Sequence, residues 1–277
     1  MANITAEDVK KLREMTGVGI MDCKNALIES EGNFENAIDI LRKKGQKVAM
    51  NRQDRAAKEG YVIGKVSGDN KKGIIVMLNC ETDFVARNEE FVSFTNAIAD
   101  KAFELNTADI NQLKSLSIDG RTIEEKITDL IAKTGEKTEL GAFELICAEK
   151  VIAYNHQGNR LATIVGFNKI SDNLDKNGRE IAMQIAAMSP VAVDKEDVTQ
   201  DIINKEIEIG MELARQEGKP EAILEKISQG RLNKFFQEYT LLNQAYTRDN
   251  KKTIRQFLAE IDEQLKVTGF KRVQISS

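Results

Sequence analysis

The sequence predicts an α+β fold, and the main observation behind this prediction is an internal repeat. Two apolar, β-branched stretches joined by a polar turn occupy residues 61–78, and a similar pair occupies residues 151–166. An amphipathic helical pattern follows each pair, at 91–105 and at 181–188. Strand, turn, strand and helix, repeated in that order, predict a duplicated core of two small antiparallel sheets with flanking helices.

Residues 1–45 are predicted to form three short helices before this core. Thr5 is placed to cap the first helix, and Asp8 is placed to complete a capping box. The segment 16–19, with its two glycines, ends that helix, and Gly45 is expected to end the third. The apolar positions assigned to the three helices are Leu12, Met15, Met21, Ala26, Leu27, Ile28, Phe34, Ala37, Ile38 and Leu41. So small a core is expected to need docking for stability.

The remaining segments are assigned from their polarity and periodicity. Residues 47–58 are polar and are interpreted as a linker that can be helical, and residues 122–133 as a helix. Two long helices between 198 and 243 are expected to form an antiparallel hairpin, followed by a helix at 253–266 and a strand at 270–275. The hairpin positions expected to face each other are Ile203, Ile207, Gly210 and Ala214 on one helix and Ile223, Ile227, Phe235 and Tyr239 on the other.

Composition argues against several function classes. The 277 residues include 40 Lys and Arg and 44 Asp and Glu, and this mildly acidic balance disfavours general nucleic-acid binding. Three scattered cysteines and a single histidine argue against a disulfide framework and a histidine-rich metal site, so no cofactor is expected. The first residues show no signal-peptide pattern and no apolar run is long enough to cross a bilayer, so a cytoplasmic location is expected.

No catalytic arrangement emerges from the sequence, so an enzyme is not expected. A GxxxxGK[ST] phosphate loop is absent, and the glycines at 17–19 lack the preceding strand that a dinucleotide site requires. His156 stands beside a turn at the end of a predicted strand and is interpreted as structural or interfacial.

The segment 81–87 is the strongest candidate for a binding loop. It follows a buried strand at 73–78, and Asn88 then begins a helix, so the segment connects a strand to a helix. In one interpretation Phe84 and Val85 fold onto the core while Thr82 or Asp83 caps a turn. In the other the segment projects and binds a partner.

Two motifs resemble the bacterial elongation factor Ts family. Residues 82–88 read TDFVARN and are similar to the family's TDFVA(K/R)(N/D) signature, and residues 16–27 read TGVGIMDCKNAL and are similar to its TGAGMMDCKKAL segment. The two motifs occur in the family's order, and a weaker match extends through nearly the whole chain. Members of this family are nucleotide exchange factors for the translational GTPase elongation factor Tu, so the resemblance implies that GTPase, in its nucleotide-free and GDP forms, as the partner.

The resemblance also implies a division of the chain. It suggests a three-helix module like a ubiquitin-associated domain, with its linker, at 1–54 and a first core subdomain at 55–145. A second core subdomain would comprise 146–200 and 244–277, with the hairpin inserted at 201–243 as a short coiled coil. Contacts that some members make through an additional C-terminal helix are not carried over.

The family's functional residues are carried over to matching positions only. The resemblance implies that the loop displaces Mg²⁺ from the partner GTPase through Thr82, Asp83, Phe84 and Val85. It implies partner contacts at Arg13, Ile20, Met21, Lys24 and Gln184. Gln184 stands where many members have histidine, which puts any role of an imidazole there in doubt. Ile20 and Met21 could alternatively fill the small N-terminal core.

Two other functions remain open from the sequence. One is a ribosome- or RNA-associated module without exchange activity, which would use Lys71, Lys72, Lys251 and Lys252. The other is a scaffold that self-associates through the helical hairpin.

Overall fold

The computed structural model describes residues 4–52 and 54–276. Gln53 of the predicted linker, residues 1–3 and residue 277 lie outside the described residues. The described part consists of helices and small antiparallel sheets, so the predicted α+β class is confirmed.

Three helices open the chain: α1 (Ala6–Thr16), α2 (Ile20–Glu29) and α3 (Phe34–Asn51). Thr5 caps α1 in a capping box with Asp8, as the sequence predicts. Gly17 ends the helix in the left-handed region at a φ of 69°, where glycine carries no steric penalty. The small core that the three helices share contains the buried residues Val9, Leu12, Val18, Cys23, Ala26, Leu27, Ala37 and Leu41.

The first half of the core is a three-stranded antiparallel sheet with helices on one face. Its elements in chain order are β1 (Glu59–Val66), β2 (Lys72–Cys80), α4 (Asp83–Ala86), α5 (Glu89–Ala102), α6 (Ile110–Ser115), β3 (Ser117–Ile118), β4 (Arg121–Thr122), α7 (Ile123–Thr134) and β5 (Thr138–Cys147). The strand order is β1–β2–β5, so β2 is central. The predicted hairpin pairs antiparallel from Glu59 with Cys80 to Val66 with Gly73.

Strand β5 has no counterpart in the sequence prediction. The register of its pairing with β2 shifts where Met77 faces Ala142 and Leu78 faces Leu140, which leaves Gly141 between them as a bulge. A bulge moves the alternating side chains to the opposite phase, so the strand shows no continuous period of two.

The second half repeats the plan. Its elements are β6 (Lys150–Asn155), β7 (Leu161–Phe167), α8 (Leu174–Met188), α9 (Gln200–Gln216), α10 (Glu221–Tyr239), β8 (Ala245–Tyr246), β9 (Asp249–Thr253), α11 (Ile254–Ile261) and β10 (Val267–Gln274). The strand order is β10–β7–β6, so the second strand of the hairpin is again central. Each half is therefore a hairpin, a helical segment and a third strand that returns beside the central one.

The two sheets pack against each other and carry their helices on the outer faces. In β2, Ile74, Val76 and Leu78 lie in the cluster with α5 and α7. Ile75 lies in a different cluster, shared with Ile164 of β7. Because both faces of the central strand are covered, its sequence is an uninterrupted apolar run rather than an alternating one.

Gly45 does not end α3, and this prediction is wrong. The helix continues to Asn51, and Gly45 lies against α7, where an added Cβ would be 2.6 Å from the Cβ of Ala132. The glycine is therefore explained by the close approach of two helices rather than by a helix end. The first part of the predicted linker is helical as a result.

The helices α9 and α10 pack side by side, but not through all of the expected residues. Gly210 and Ala214 are buried on α9, as expected. The buried residues of α10 are Leu224, Ser228 and Leu232, whereas Ile223 and Tyr239 are largely exposed. The inward face of α10 is therefore rotated relative to the prediction.

Candidate partner-binding site

The segment after β2 forms a single helical turn between two caps. Burial raises the pKa of Cys80 at the end of β2 to about 12, and its protonated thiol donates to the carbonyl of Thr82 at 3.2 Å. The hydroxyl of Thr82 accepts the backbone N–H of Val85 at 3.5 Å and so begins α4. Asn88 accepts the N–H of Glu90 at 2.9 Å and begins α5. Caps this close together limit α4 to one turn.

Phe84 lies on the outer side of this turn. Its exposed fraction is 84%, the largest of any large hydrophobic side chain among the described residues. Val85 is partly buried and packs against the core of the first half, and Ala86 is buried. The interpretation in which Phe84 folds onto the core is therefore wrong, although Thr82 does cap the turn.

Asp83 stands beside Phe84 with a carboxylate that is only lightly engaged. It forms an ion pair with Arg87 one turn later, at 3.1 Å; the Arg87 side chain is largely in solvent and that of Asp83 is about half exposed. Exposed pairs of this kind contribute about 0–1 kcal/mol. The carboxylate can therefore exchange Arg87 for another partner at little cost.

Two glutamates hold the base of the turn. Glu136 accepts the backbone N–H of Thr82 at 3.1 Å and its hydroxyl at 2.7 Å. The carboxylate of Glu81 accepts hydrogen bonds from Arg52 at 2.8 Å, from Arg55 at 3.1 Å and from the backbone N–H of Lys137 at 2.6 Å. Phe84 is thus displayed on a turn whose base has little freedom to move.

The pKa of Glu81 reflects these three donors. Partial burial alone raises the pKa, because it disfavours the charged carboxylate. The N–H of Lys137 and the guanidinium groups of Arg52 and Arg55 outweigh burial and lower the pKa to about 2. Glu81 is therefore ionised, and its ion pairs are complete, throughout the neutral range.

The second motif presents an exposed face of α2. The buried residues of this helix are Cys23, Ala26 and Leu27. The expected contact residues point elsewhere: Ile20 is 53% exposed, Met21 is 63% exposed, and Lys24 and Arg13 of α1 are also exposed. The alternative in which Ile20 and Met21 fill the small core is wrong. Met15 and Ile28, also assigned to the core, are exposed as well.

The structure brings the two motifs into the same neighbourhood. A Cβ at Gly17, in the second motif, would lie 2.5 Å from Cε of Lys133 on α7. Lys133 forms an ion pair with Glu90, which stands two residues after Asn88 of the first motif. A cleft of about 430 Å³ lies here and is lined in part by Met15, Thr16, Glu90, Phe94, Leu130 and Lys133.

Gln184 is not part of this surface. Its side chain is fully buried in α8, and its amide donates to the side chain of Gln244 at 3.2 Å and to the carbonyl of Ala245 at 3.1 Å. Its oxygen accepts the N–H of Thr247 at 3.0 Å. In this conformation Gln184 offers no surface to a partner, and it joins α8 to the segment around β8.

The lysines considered for RNA binding are mostly engaged within the chain. Lys72 donates to the carbonyls of Phe103 and Leu105 at the end of α5. Lys71 pairs with Glu149 at 3.1 Å, and Lys252 pairs with Glu260 at 2.6 Å. Lys251 is exposed on β9. Lys71 and Lys72 lie in the first half and Lys251 and Lys252 in the second, and one lysine in each half is paired with a glutamate.

Four residues that hold the turn were not identified from the sequence: Arg52, Arg55, Glu81 and Glu136. Glu81 directly precedes the first motif, and this position is the one feature of the sequence that points to a role for it. Glu136 and the two arginines lie far from it along the chain, and no periodicity connects them to it.

The described residues include neither a membrane-spanning helix nor a cluster of metal-binding side chains. Within residues 4–52 and 54–276, no helix has the length and apolar character needed to span a membrane. In the same part of the chain, no three side chains of the types His, Cys, Asp and Glu are grouped closely enough to hold a metal ion.

Comparison with known proteins places these features in context. The profile of the family described as Elongation factor TS matches residues 81–277. Elongation factor Ts from Christiangramia forsetii is 46% identical over 275 residues, covering 99% of this chain and 100% of that protein. Elongation factor Ts from Porphyromonas gingivalis is 48% identical over 277 residues, covering 99% of each chain. The protein of that name from Cytophaga hutchinsonii is 47% identical over 278 residues, covering 100% of each.

Proposed function

The chain belongs to the elongation factor Ts family, which implies a role in translation elongation, and we propose that it promotes GDP release from elongation factor Tu. The observation that carries this proposal is the exposure of Phe84 on a turn with a fixed base. An aromatic ring kept in solvent loses roughly 1.5–3 kcal/mol of burial energy, which contact with a partner can recover.

The proposed mechanism is displacement of the partner's metal. The turn enters the GTPase near its bound Mg²⁺, where Phe84 inserts between two helices and Asp83 brings a negative charge. Mg²⁺ bridges the β-phosphate and the GTPase, so displacing its ligands removes the largest local charge that retains GDP. No covalent bond is made or broken by this chain.

Linkage sets the size of the effect. A factor that binds the nucleotide-free GTPase more tightly than the GDP form must weaken GDP binding by the same ratio. Each tenfold loss of GDP affinity needs about 1.4 kcal/mol of differential binding. Burial of Phe84 therefore accounts for about one to two factors of ten, and other contacts must supply the rest.

The exposed face of α2 is the proposed source of further contacts. Ile20 and Met21 supply apolar area. For Gln184 we propose a supporting role, since its buried amide holds α8 and the segment near β8 in place. The factor holds the nucleotide-free GTPase through these surfaces until GTP binds.

The division of the chain is part of the same proposal. Residues 1–54 would act as a docking module resembling a ubiquitin-associated domain. Residues 55–145 would carry the Phe84 turn at 81–87, which we call the exchange turn, and 146–200 with 244–277 would form the second core subdomain. The helices at 201–243 would form a short coiled coil that is available for self-association.

Labelled-GDP release from the GTPase tests the proposal. Wild type should accelerate release, and Phe84→Ala should reduce the acceleration by about 10–100-fold, the range expected for loss of one buried aromatic contact. Ile170→Ala is the matched control, because Ile170 is a 70% exposed apolar residue outside both motifs, and it should behave as wild type. Equal activity of Phe84→Ala and wild type would exclude the wedge.

The alternative, an RNA-associated module without exchange activity, predicts a different result. Wild type would then leave GDP release unchanged and bind RNA with a steep dependence on salt. Lys251→Gln would weaken that binding. Measuring both properties on one preparation separates the two functions.

A further inference from the structure

The ends of two packed helices both reach the base of the exchange turn. α3 ends at Asn51, and the next residue, Arg52, donates to Glu81. α7 ends at Thr134, and the segment that follows it provides Glu136 to Thr82. Glu81 is therefore hydrogen-bonded to the segment that follows α3, and Thr82 to the segment that follows α7.

The helices α3 and α7 pack closely against each other. The missing side chain at Gly45 lets α3 approach α7 until only the methyl group of Ala132 separates them. A movement of α3 is therefore passed to α7, because packed interiors have little free volume to absorb it. α3 also belongs to the N-terminal core, so the exposed face of α2 and the exchange turn are connected through this helix.

The Glu81 carboxylate is the charged contact in this connection. Its side chain is 16% exposed, and that of Arg52 is 26% exposed, so solvent screens the pair less than a surface pair. Arg55 is more exposed and binds the second carboxylate oxygen. Charge-assisted hydrogen bonds at such a site are stronger and more directional than neutral ones.

We propose that Glu81 is a positioning residue that, through Arg52 and Arg55, transmits docking of the three N-terminal helices to the exchange turn. This inference rests on the proposed function. Glu81 touches neither GDP nor the partner's metal. It orients Phe84 relative to α3, so that a partner bound on α2 meets the ring in the productive direction.

Glu81→Gln tests this proposal, because glutamine keeps the size and one acceptor but removes the charge. GDP release is measured against factor concentration to separate the maximal rate from the half-saturating concentration. The maximal rate should fall about tenfold, as expected for the loss of a charge-assisted contact, while the half-saturating concentration stays within about threefold of wild type. Glu149→Gln, which removes an exposed pair with Lys71, should change neither quantity.

A purely structural role would give the opposite pattern. Partial unfolding lowers the active fraction, which raises the half-saturating concentration and leaves the maximal rate unchanged. That outcome for Glu81→Gln would overturn the proposal, as would wild-type behaviour in both quantities. If wild type itself fails to accelerate GDP release, the proposed function fails instead, so the two failures are distinguishable.

The arginines give an independent route to the same answer. Arg52→Gln with Arg55→Gln should reproduce the lower maximal rate while leaving Glu81 in place. Adding Glu81→Gln to that double variant should cause no further loss, because residues that act as one unit are not additive. Full additivity would mean that Glu81 acts independently of the N-terminal helices and would contradict the proposal.

Discussion

The two halves of the core each carry a connection from the central strand to the main helix, and each connection displays an apolar residue. In the first half, β2 leads through Phe84 to α5, and Phe84 is 84% exposed. In the second half, β7 leads through Ile170 to α8, and Ile170 is 70% exposed. Position in the fold and exposure are therefore almost the same for the two residues.

What differs is the way each connection is held. Asp262 binds Lys169 at 2.6 Å and Ser171 at 3.1 Å, and Asn168 exchanges hydrogen bonds with Lys266. All of these partners belong to the second half. The turn that carries Phe84 is held instead by its own half and by Arg52 and Arg55, which follow the N-terminal helices.

An exposed apolar residue does not by itself define a binding site. Isolated exposed apolar residues are common on protein surfaces. The Phe84 turn stands out because the chain connects it to a second exposed surface, on α2. A GTPase that contacts both surfaces would encounter a ring already held in one orientation relative to α2.

Moving the aromatic ring to the second connection is the strongest test of this distinction. The double variant Phe84→Ala with Ile170→Phe keeps one exposed aromatic ring at the equivalent place in the fold. GDP release should stay about 10–100-fold slower than with wild type, because the contacts described above hold the second connection within its own half. Recovery of the wild-type rate would show that the two connections are interchangeable.

The hydrogen bonds between Asn155 of the second half and Gly64 of the first form a joint between the halves, and its removal should have an effect of intermediate size on stability. The side-chain amide of Asn155 accepts the N–H of Gly64 at 2.7 Å and donates to the carbonyl of Gly64 at 3.0 Å. It therefore pairs both backbone groups of Gly64 at the edge of β1. Asn155→Ala should lower the free energy of unfolding in urea by about 1–3 kcal/mol, because it leaves two buried backbone groups unpaired. Asn250→Ala, at an exposed position of β9, is the control. An equal result for both variants would mean that the halves do not depend on this joint.

The smallest expected effect is a pH dependence of stability that differs between Glu81, at the Phe84 turn, and Asp262, at the Ile170 connection. The folded-state pKa of Glu81 is lowered from 4.5 to about 2, so its stabilising contribution is complete above pH 4.5 and is lost as the pH falls toward 2. The difference in unfolding free energy between wild type and Glu81→Gln should therefore be largest at pH 7 and shrink at pH 3. The pKa of Asp262 is also lowered, chiefly by its hydrogen bond from Lys169. Its side chain is more exposed than that of Glu81, 26% against 16%, so Asp262→Asn should show a weaker trend. A difference that is constant with pH would contradict this account of Glu81.

Particular residues show where sequence reasoning succeeded. The hairpin of β1 and β2 and the capping of α1 by Thr5 both rest on neighbouring residues. The helix predicted at 122–133 is also confirmed, as α7. The first motif could be assigned to an exposed connection because it lies between a buried strand and a helix cap.

Other residues show where it failed. The sequence predicts a helix end at Gly45, but the missing side chain there serves close contact with Ala132. β5 was missed because its bulge at Gly141 interrupts the alternation. Gln184 was expected at a partner surface and is buried. In each case the deciding neighbour lies far away in sequence, so local pattern could not identify it.

The sequence by itself determined the class of fold, the repeat and the two motifs, because capping, alternation and helical periodicity act over a few residues. Only the tertiary structure decided that Phe84 projects, that Ile20 and Met21 are exposed, and that Glu81 and Glu136 anchor the turn. The physical reason is that exposure and anchoring depend on which distant segments pack together. Here the close contact of α3 with α7 brings the ends of both helices to the base of one exposed turn.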